Sequence, residues 1–452
     1  MRFFSAPSAR RQVAVALSGG VDSSVAAHLL TKMNMSVLGI HMSNWDYHGD
    51  DDGSKDAKCW EQDWKDAQAV AVHLNIPISH ASFEADYWNS VFEPYIANLS
   101  QSLTPNPDVD CNRYIKFGVL KKYVRKRFGI DTLATGHYAR LYDGSDDNVQ
   151  VPLCLEEFLD SNPEYADLLD MQQPILMAAR DIHKDQSYFL CGLSASALSG
   201  VMFPLGDLNK SSNKDSFQVD MNSESVRDIA QSARLPTASK RESMGICFIG
   251  KRRHAQFVDE YIERKSGHEV KATCINVDDG SVVSSFYPSE TPSLAYATIG
   301  QGAKIAGAAQ KWFVVDKPDT STILVCPGTH HPALYSDSFT VEKINWIQGI
   351  PPKLPLKAQC RIRHLQPLNE CEVRATKDHQ GVEVILENPF RGIAAGQVCG
   401  IYLDGLVCLG GGAITTRGAT YHALKKELPG ALHPAGNNDL SIAKRKIEKH
   451  DS

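Results

Sequence analysis

From Val13 to about Gly206, short apolar runs alternate with longer segments of mixed polarity. "VAVAL" from Val13, "SVLGIHM" from Ser36, "IPISHASF" from Ile76 and "DTLATG" from Asp131 are predicted as buried strands, with helical patterns between them. Such alternation implies a parallel sheet covered by helices on both faces. The rhythm breaks between residues 142 and 173, where "LCLEEFLDSNPEYADLLDM" could form a helix and is expected to be a surface insertion without chemistry. From about Asn222 to His331, a helix ("SVRDIAQSARL") precedes Gly-rich and β-branched segments. From about Phe339 to Ala413, short strands such as "FTVEKINWI", "KAQCRIRHL" and "GVEVILE" recur between turn residues, the pattern of a closed or nearly closed β-barrel. The expected layout is a start segment at 1–12, an α/β domain with a parallel sheet at 13–216 carrying the insertion, a small central domain at 217–336, a C-terminal β-barrel at 337–416 and a mobile polar tail at 417–452.

With 452 residues, 42% of them hydrophobic and 22% charged, the chain has room for two or three cores. No apolar run approaches the roughly 18 to 20 residues of a membrane span, so no membrane partner is expected. A formal charge of −6 argues against nucleic-acid binding by bulk electrostatics and moves any such contact to local clusters. Arg113, Lys116, Lys121, Lys122, Arg125, Lys126 and Arg127 follow Cys111 without an intervening acid, and Lys251, Arg252, Arg253 and His254 follow Cys247. Taken alone, each cluster is also what a solvated helix face looks like. Eleven cysteines with no C-x-x-C pair indicate neither a disulfide framework nor a zinc ribbon, and fit a reducing compartment. No metal-ligating residue set is predicted. The start carries Arg2, Arg10 and Arg11 and no acid, as a transit segment or an unstructured start would.

The most specific local signal is "VAVALSGGVDSSVAAHLL", in which a strand ends at Leu17, a turn runs from Ser18 to Ser23, and a helix continues through Leu30. Gly19 and Gly20 permit backbone angles that let amide N–H groups converge on an anion at the positive end of that helix. No Lys follows the glycines, so this is not the Walker loop. The Ser-Gly-Gly-x-Asp-Ser order looks instead like the loop of enzymes that split ATP between its α and β phosphates. That makes the first domain an adenine-nucleotide-binding one. Splitting there attaches AMP to a substrate oxygen, and some nucleophile must then displace it.

"PDVDCNRYIKF" offers one, with Asp108 three residues before Cys111. Arg113, Lys116 and a helix N-terminus would favour the thiolate if Cys111 lies in the first turn. Ile115, Val119, Leu120, Tyr123 and Val124 are the expected buried face. Asp108 opposes ionisation of the thiol, so it is a candidate for proton transfer or for holding substrate. In isolation, Cys111 beside an acid and Cys247 within "SMGICFIG" both resemble structural cysteines.

Nine segments in order, among them "LSGGVDSS", "HMSNWD", "TPNPDVDCNRYIKFG", "ATGHYAR", "KDQSYFL", "GICFIG" and "CLGGG", resemble the tRNA-specific 2-thiouridylases of bacteria and mitochondria from about Val13 to Ile414. The resemblance implies exchange of the C2 oxygen of the wobble uridine for sulfur in tRNAs for Lys, Glu and Gln. It implies ATP contacts by Ala16, Leu17, Ser18, Gly19, Gly20, Val21, Asp22, Ser23, Met42 and Gly136, with Mg²⁺ accompanying the pyrophosphate. Asn106, Pro107 and Asp108 would meet the target base. Cys247 would carry a persulfide received from a sulfur-relay protein or cysteine desulfurase, with Cys111 its partner and a transient disulfide between them. His137, Lys184, Asp185, Gln186, Arg363, His364 and Gln397 would touch tRNA, although His137 serves equally well as a core histidine. The chain departs from the pattern at Asp110, Gly302 and Ala395, where an apolar residue, Arg and Pro are usual. The insertion and tail, extra to the compact bacterial pattern, point to a mitochondrial enzyme. Three rivals remain: an amide-forming synthetase with the same loop, a noncatalytic RNA-binding protein, and a thiolase using an iron–sulfur cluster on scattered cysteines.

Overall fold

A computed structural model describes residues 10–45, 59–145, 149–211, 224–241, 254–261, 271–288, 296–305, 307–319 and 321–430. Strand β1 (Gln12–Ala16) runs parallel to β2 (Ser36–Ser43) on one side and β4 (Leu133–Ala134) on the other; β3 (Ile78–Ser82) and β7 (Val201–Met202) complete the order β3-β2-β1-β4-β7. Every residue of "VAVAL" except Ala16 is fully buried because β1 is packed on both faces. Val13, Val15 and Leu17 meet Ala27 and Leu30 of helix α1 (Val21–Lys32) and Ala67, Val70 and Ala71 of helix α2 (Cys59–Leu74). Ala14 faces the other way, into a core shared with Ile115, Leu120, Val124 and Leu133. The four strands expected in this sheet are β1 to β4, whereas the two-residue β7 was not foreseen, and no described helix is long and apolar enough to cross a membrane.

A five-stranded central sheet has the order β10-β11-β12-β8-β9, built from β8 (Ala272–Asn276), β9 (Val282–Phe286), β10 (Gly302–Ala303), β11 (Trp312–Asp316) and β12 (Thr322–Pro327). The helix Val226–Ser232, assigned by the sequence to the central domain, packs instead on α1: Val226, Ile229 and Ala230 share one core with Val21, Val25 and Ala26. Its apolar stripe had no partner nearby in sequence.

The third sheet joins β13 (Tyr335–Val341), β14 (Asn345–Trp346), β15 (Leu356–Arg361), β16 (Asn369–Ala375), β17 (Val382–Arg391), β18 (Val398–Leu403), β19 (Val407–Ala413) and β20 (Thr416–Arg417) to two strands from far upstream, β5 (Arg140–Asp143) and β6 (Pro174–Met177). It wraps one core. Phe339 of β13 and Tyr142 of β5, near opposite edges of the strand order, belong to the same apolar cluster.

Two expectations change here. The insertion is not an isolated surface element: helix Leu153–Ser161 buries Leu155 and Phe158 in the barrel core between β5 and β6. The segment after Thr416 is not mobile from its start, because β20 pairs with β13 and Tyr421 is 9% exposed, its amide donating to Tyr335 O at 3.0 Å. The remainder of the expected tail, from residue 431, lies outside the described residues.

Candidate active site

With β2 on one side of β1 and β4 on the other, the chain reverses its order at the C-terminal end of β1, where open α/β sheets leave a crevice. The glycine turn sits there. Gly19 has φ +76°, and a Cβ on it would lie 2.3 Å from the Asp63 carbonyl oxygen, so only glycine fits. Gly20 caps α1 in an extended conformation, leaving the first-turn amides at the positive end of a twelve-residue helix. Ser18 N–H donates to Ser23 Oγ at 3.2 Å, and Ser23 Oγ donates to Gly20 O at 3.1 Å, closing the turn. Gly136, after β4, backs the turn: a Cβ there would stand 2.8 Å from Ser23 N. Half-buried Met42 lies at the same end of β2, paired in register with Ala81. This cradle fits a phosphate chain, and it brings the expected nucleotide residues together.

The loop has no lysine of its own, but distant segments supply two. Lys210, 4% exposed, donates to Asp22 Oδ1 at 2.5 Å, and Tyr138 Oη donates to the same oxygen at 2.8 Å. Lys240 donates to Gly19 O at 3.0 Å and to Asp63 Oδ1 at 2.8 Å. His41 Nδ1 donates to Leu17 O at 3.0 Å, and burial lowers its pKa. No sequence motif connected these residues with the loop.

The second half of the site is a continuous helical run over residues 107–128 whose middle, Cys111–Leu120, has π-type bonding. Asn106 caps it, its Oδ1 accepting the Asp108 amide at 3.1 Å. Asp108, not Cys111, therefore occupies the first turn. The thiol sits at the fifth helical position with its own amide bonded to Asp108 O and Pro107 O, so the helix end offers it less than expected. Cys111 is 4% exposed and faces the core with Ile115, Leu120 and Val124; Val119 and Tyr123 are half-buried, and Phe117 is an unpredicted member of that face.

Burial pushes the Asp108 carboxyl above its ordinary pKa against the opposing pull of Lys116 and His364, so it holds a proton closer to neutrality. Burial also raises Asp110, to about 6, with Arg113 opposing. Tyr95, whose phenol feels the Asp108 charge, is hydrogen-bonded to His254 Nε2. Phe257 and Val258, from the helix His254–Tyr261, lie in the same apolar cluster as Cys111. Cys247 and the basic residues Lys251, Arg252 and Arg253 lie outside the described residues.

His137 is 9% exposed and neutral, its pKa driven well down by burial and by Lys116. Lys116 Nζ stands 3.5 Å from Nε2, which as an ammonium's partner must accept, so Nδ1–H donates to Thr135 Oγ1 at 2.7 Å. Asp185, expected at a tRNA surface, is a strut instead. At 2% exposure its carboxylate accepts from the Ala179 and Ser187 amides, the Ser187 hydroxyl and Arg361 Nη1, tying the nucleotide domain to β15. His364 Nε2 donates to Asp185 O at 3.0 Å, which carries Phe189 and His364 rings to 4.4 Å. Arg363 Nη2 donates to the carbonyls of Ile299 and Gly392, joining central sheet and barrel. Gln186 Oε1 accepts the Tyr138 amide at 3.0 Å, and Gln397, 6% exposed, accepts the Ala394 amide at 3.0 Å. Of this set Lys184, Gln186, Arg363 and His364 keep part of their surface; the side chains of Asp185 and Gln397 are structural. Ala395 O accepts the Thr104 amide at 2.8 Å, a bond a proline there would make equally well, and Gly302 is exposed, a Cβ on it reaching only ordinary contact with Trp312 O at 3.9 Å.

The chain matches the family described as "tRNA methyl transferase HUP domain" over residues 11–251 and "Aminomethyltransferase beta-barrel domain" over 336–414. It is 36% identical to "Mitochondrial tRNA-specific 2-thiouridylase 1" of Danio rerio over 92% of this chain and 94% of that one. It is 37% identical to "tRNA-specific 2-thiouridylase MnmA" of Chlamydia abortus over 89% and 97%, and 36% identical to the protein of that name from Streptococcus mutans over 90% and 95%. With a phosphate cradle at the sheet crevice, an acid–thiol helix beside it and relatives aligned along nearly its whole length, the chain belongs to the family of tRNA-specific 2-thiouridylases.

Proposed function

We propose that the chain exchanges the C2 oxygen of the wobble uridine for sulfur in tRNAs for Lys, Glu and Gln, at the expense of ATP. The observation that carries this reading is the Lys116–His137 contact, which places the helix of Asp108 and Cys111 against the loop whose Gly136 backs the phosphate turn. Adenylation and displacement thus share one crevice.

In this mechanism the turn from Ser18 to Ser23 holds the triphosphate on its amides while O2 of the base attacks the α-phosphorus, forming the adenylate and releasing pyrophosphate. Mg²⁺ would accompany the pyrophosphate, held largely by phosphate oxygens, neutralising the charge that builds there. Sulfur then attacks C2 and AMP leaves. In one route the terminal sulfur of a Cys247 persulfide attacks C2 directly, and the Cys111 thiolate then cleaves the resulting Cys247–S–S–C2 linkage, freeing the thiolated base and leaving a Cys111–Cys247 disulfide. In the other, the Cys111 thiolate attacks the sulfur of Cys247, releasing sulfide as nucleophile and leaving a Cys111–Cys247 disulfide that an external thiol reduces. Asp108, with its raised pKa, moves the proton. The base must leave the anticodon stack to reach Cys111, which is buried from the surface. Lys184, Gln186, Arg363 and His364, with the basic face of the helical run, supply local RNA contacts despite the net negative charge. A sulfur-relay protein or cysteine desulfurase charges Cys247, and the Arg-bearing start together with the mitochondrial relatives supports action in mitochondria, tested by imaging a tagged full-length chain.

The deciding experiment is mass spectrometry of nucleosides from tRNA incubated with the protein, ATP, Mg²⁺ and a cysteine desulfurase with cysteine as persulfide source, beside Cys111→Ala. A 2-thiouridine product with wild type alone supports the reading; AMP without thiolated base keeps the ATP half of it and counts against this sulfur donor.

A further inference from the structure

The carbonyls of the two loop glycines are held from one side by a strap, residues 237–240, contributed by a chain segment more than 200 positions away. Lys240 Nζ donates to Gly19 O at 3.0 Å, Asp63 Oδ1 at 2.8 Å and Asp66 Oδ2 at 2.5 Å, which uses all three N–H groups of the ammonium. Thr237 Oγ1 donates to Ser24 Oγ at 2.9 Å, and Ser24 Oγ donates to Gly20 O at 2.7 Å. Arg227 Nη1 fixes the strap itself, donating to the Ala238 and Lys240 carbonyls at 3.0 and 2.9 Å.

In a trans peptide the carbonyl and the following N–H point in opposite directions. An ammonium drawing Gly19 O toward α2 therefore turns Gly20 N–H the other way, into the turn, where Ser18 Oγ lies 3.4 Å from it. A peptide between two glycines rotates with little steric resistance, so the sequence Gly19-Gly20 alone does not fix that orientation. An anion site works best when its donors are aimed before the ligand arrives.

We propose that Lys240 is a positioning residue that locks the Gly19–Gly20 peptide with its amide toward the triphosphate. This rests on the nucleotide reading of the loop. Asp63 and Asp66, one helical turn apart on α2, hold the ammonium in place: burial alone would lower its pKa, but the two carboxylates outweigh that and raise it. Neither carboxylate needs to touch ATP.

The test is steady-state tRNA-dependent AMP release by the full chain. Lys240→Met is expected to raise KM for ATP about tenfold to a hundredfold, the worth of one charge-assisted hydrogen bond, with KM for tRNA little changed. Lys240→Arg, whose guanidinium also donates to a carbonyl, recovers part of the loss. In K240M/D63N/D66N the stranded carboxylates are neutralised, and the raised KM for ATP should persist. A role confined to stability would lower the unfolding temperature and the active fraction without moving KM for ATP. That result, or a normal KM for ATP in the triple variant, overturns the positioning role. A wild-type chain that releases no AMP with tRNA overturns the nucleotide reading itself and the positioning role with it.

Discussion

Lys116 Nζ stands 3.5 Å from His137 Nε2. The lysine belongs to the helix that carries Cys111 and the histidine to the loop that supports the phosphate turn, so one polar contact spans the two halves of the site. Lys116→Met should lower kcat for thiolation about tenfold or more while changing KM for ATP little, because the cradle is built without it. Parallel assays of AMP and 2-thiouridine check this, and an ATP defect as large as the thiolation defect would count against the division of labour.

Asp22 and Lys210 form an ion pair whose cation is buried. Asp22→Ala leaves that cation without its carboxylate and is expected to destabilise the fold by about 3 kcal/mol as well as stop AMP release. The double variant D22N/K210M should regain much of the stability and none of the activity. Urea unfolding beside AMP assays separates the two effects.

Gly136→Ala places a Cβ 2.8 Å from Ser23 N. Since the neighbour is backbone, the first turn of α1 must shift, and affinity for ATP should fall roughly tenfold or more while the barrel remains folded. Nucleotide titration by fluorescence, with circular dichroism as the fold control, reads both.

Asp110 has a folded pKa of about 6, above its ordinary 3.8. A raised carboxyl pKa means that the folded chain binds the proton more tightly than the unfolded one, so this group favours folding in acid and loses that contribution as pH rises from about 4 through 6. Asp110→Asn should therefore leave stability unchanged relative to wild type near pH 3 and raise it at pH 7 by up to about 3 kcal/mol. It should also speed alkylation of Cys111 by removing an adjacent negative charge. Equal stability of both chains at pH 7 would contradict the burial cost.

Cys247→Ser should abolish 2-thiouridine while sparing tRNA-dependent AMP release, since adenylation needs only the cradle. Nucleoside mass spectrometry decides it, and unchanged thiolation would remove Cys247 from the sulfur route.

The phosphate turn was legible because its determinants are contiguous: an apolar run, two glycines and a helical start between Val13 and Leu30. The buried face around Cys111 followed from helical spacing for the same reason. Lys210, Lys240 and Tyr95 were not legible, since each reaches the site through tertiary structure from a segment with no local mark of that role. Asp185 entered as a tRNA contact through resemblance alone, and its burial could not be read locally because the four donors that compensate it come together only in the tertiary structure. β5 and β6 are four-residue strands whose membership in the barrel depends on β19, which no local pattern announces.

That last pairing has a temporal side. Met177 pairs with Val407. On a ribosome adding about 5 to 20 residues per second, the edge of β6 emerges some tens of seconds before its partner exists. For that interval the apolar face of Ile175 and Met177, with Leu155 and Phe158 of the insertion, has no barrel to enter. The nascent chain thus carries an unpaired strand edge beside uncovered apolar surface, a form open to aggregation and to chaperone capture, until nearly its last barrel strand has been made.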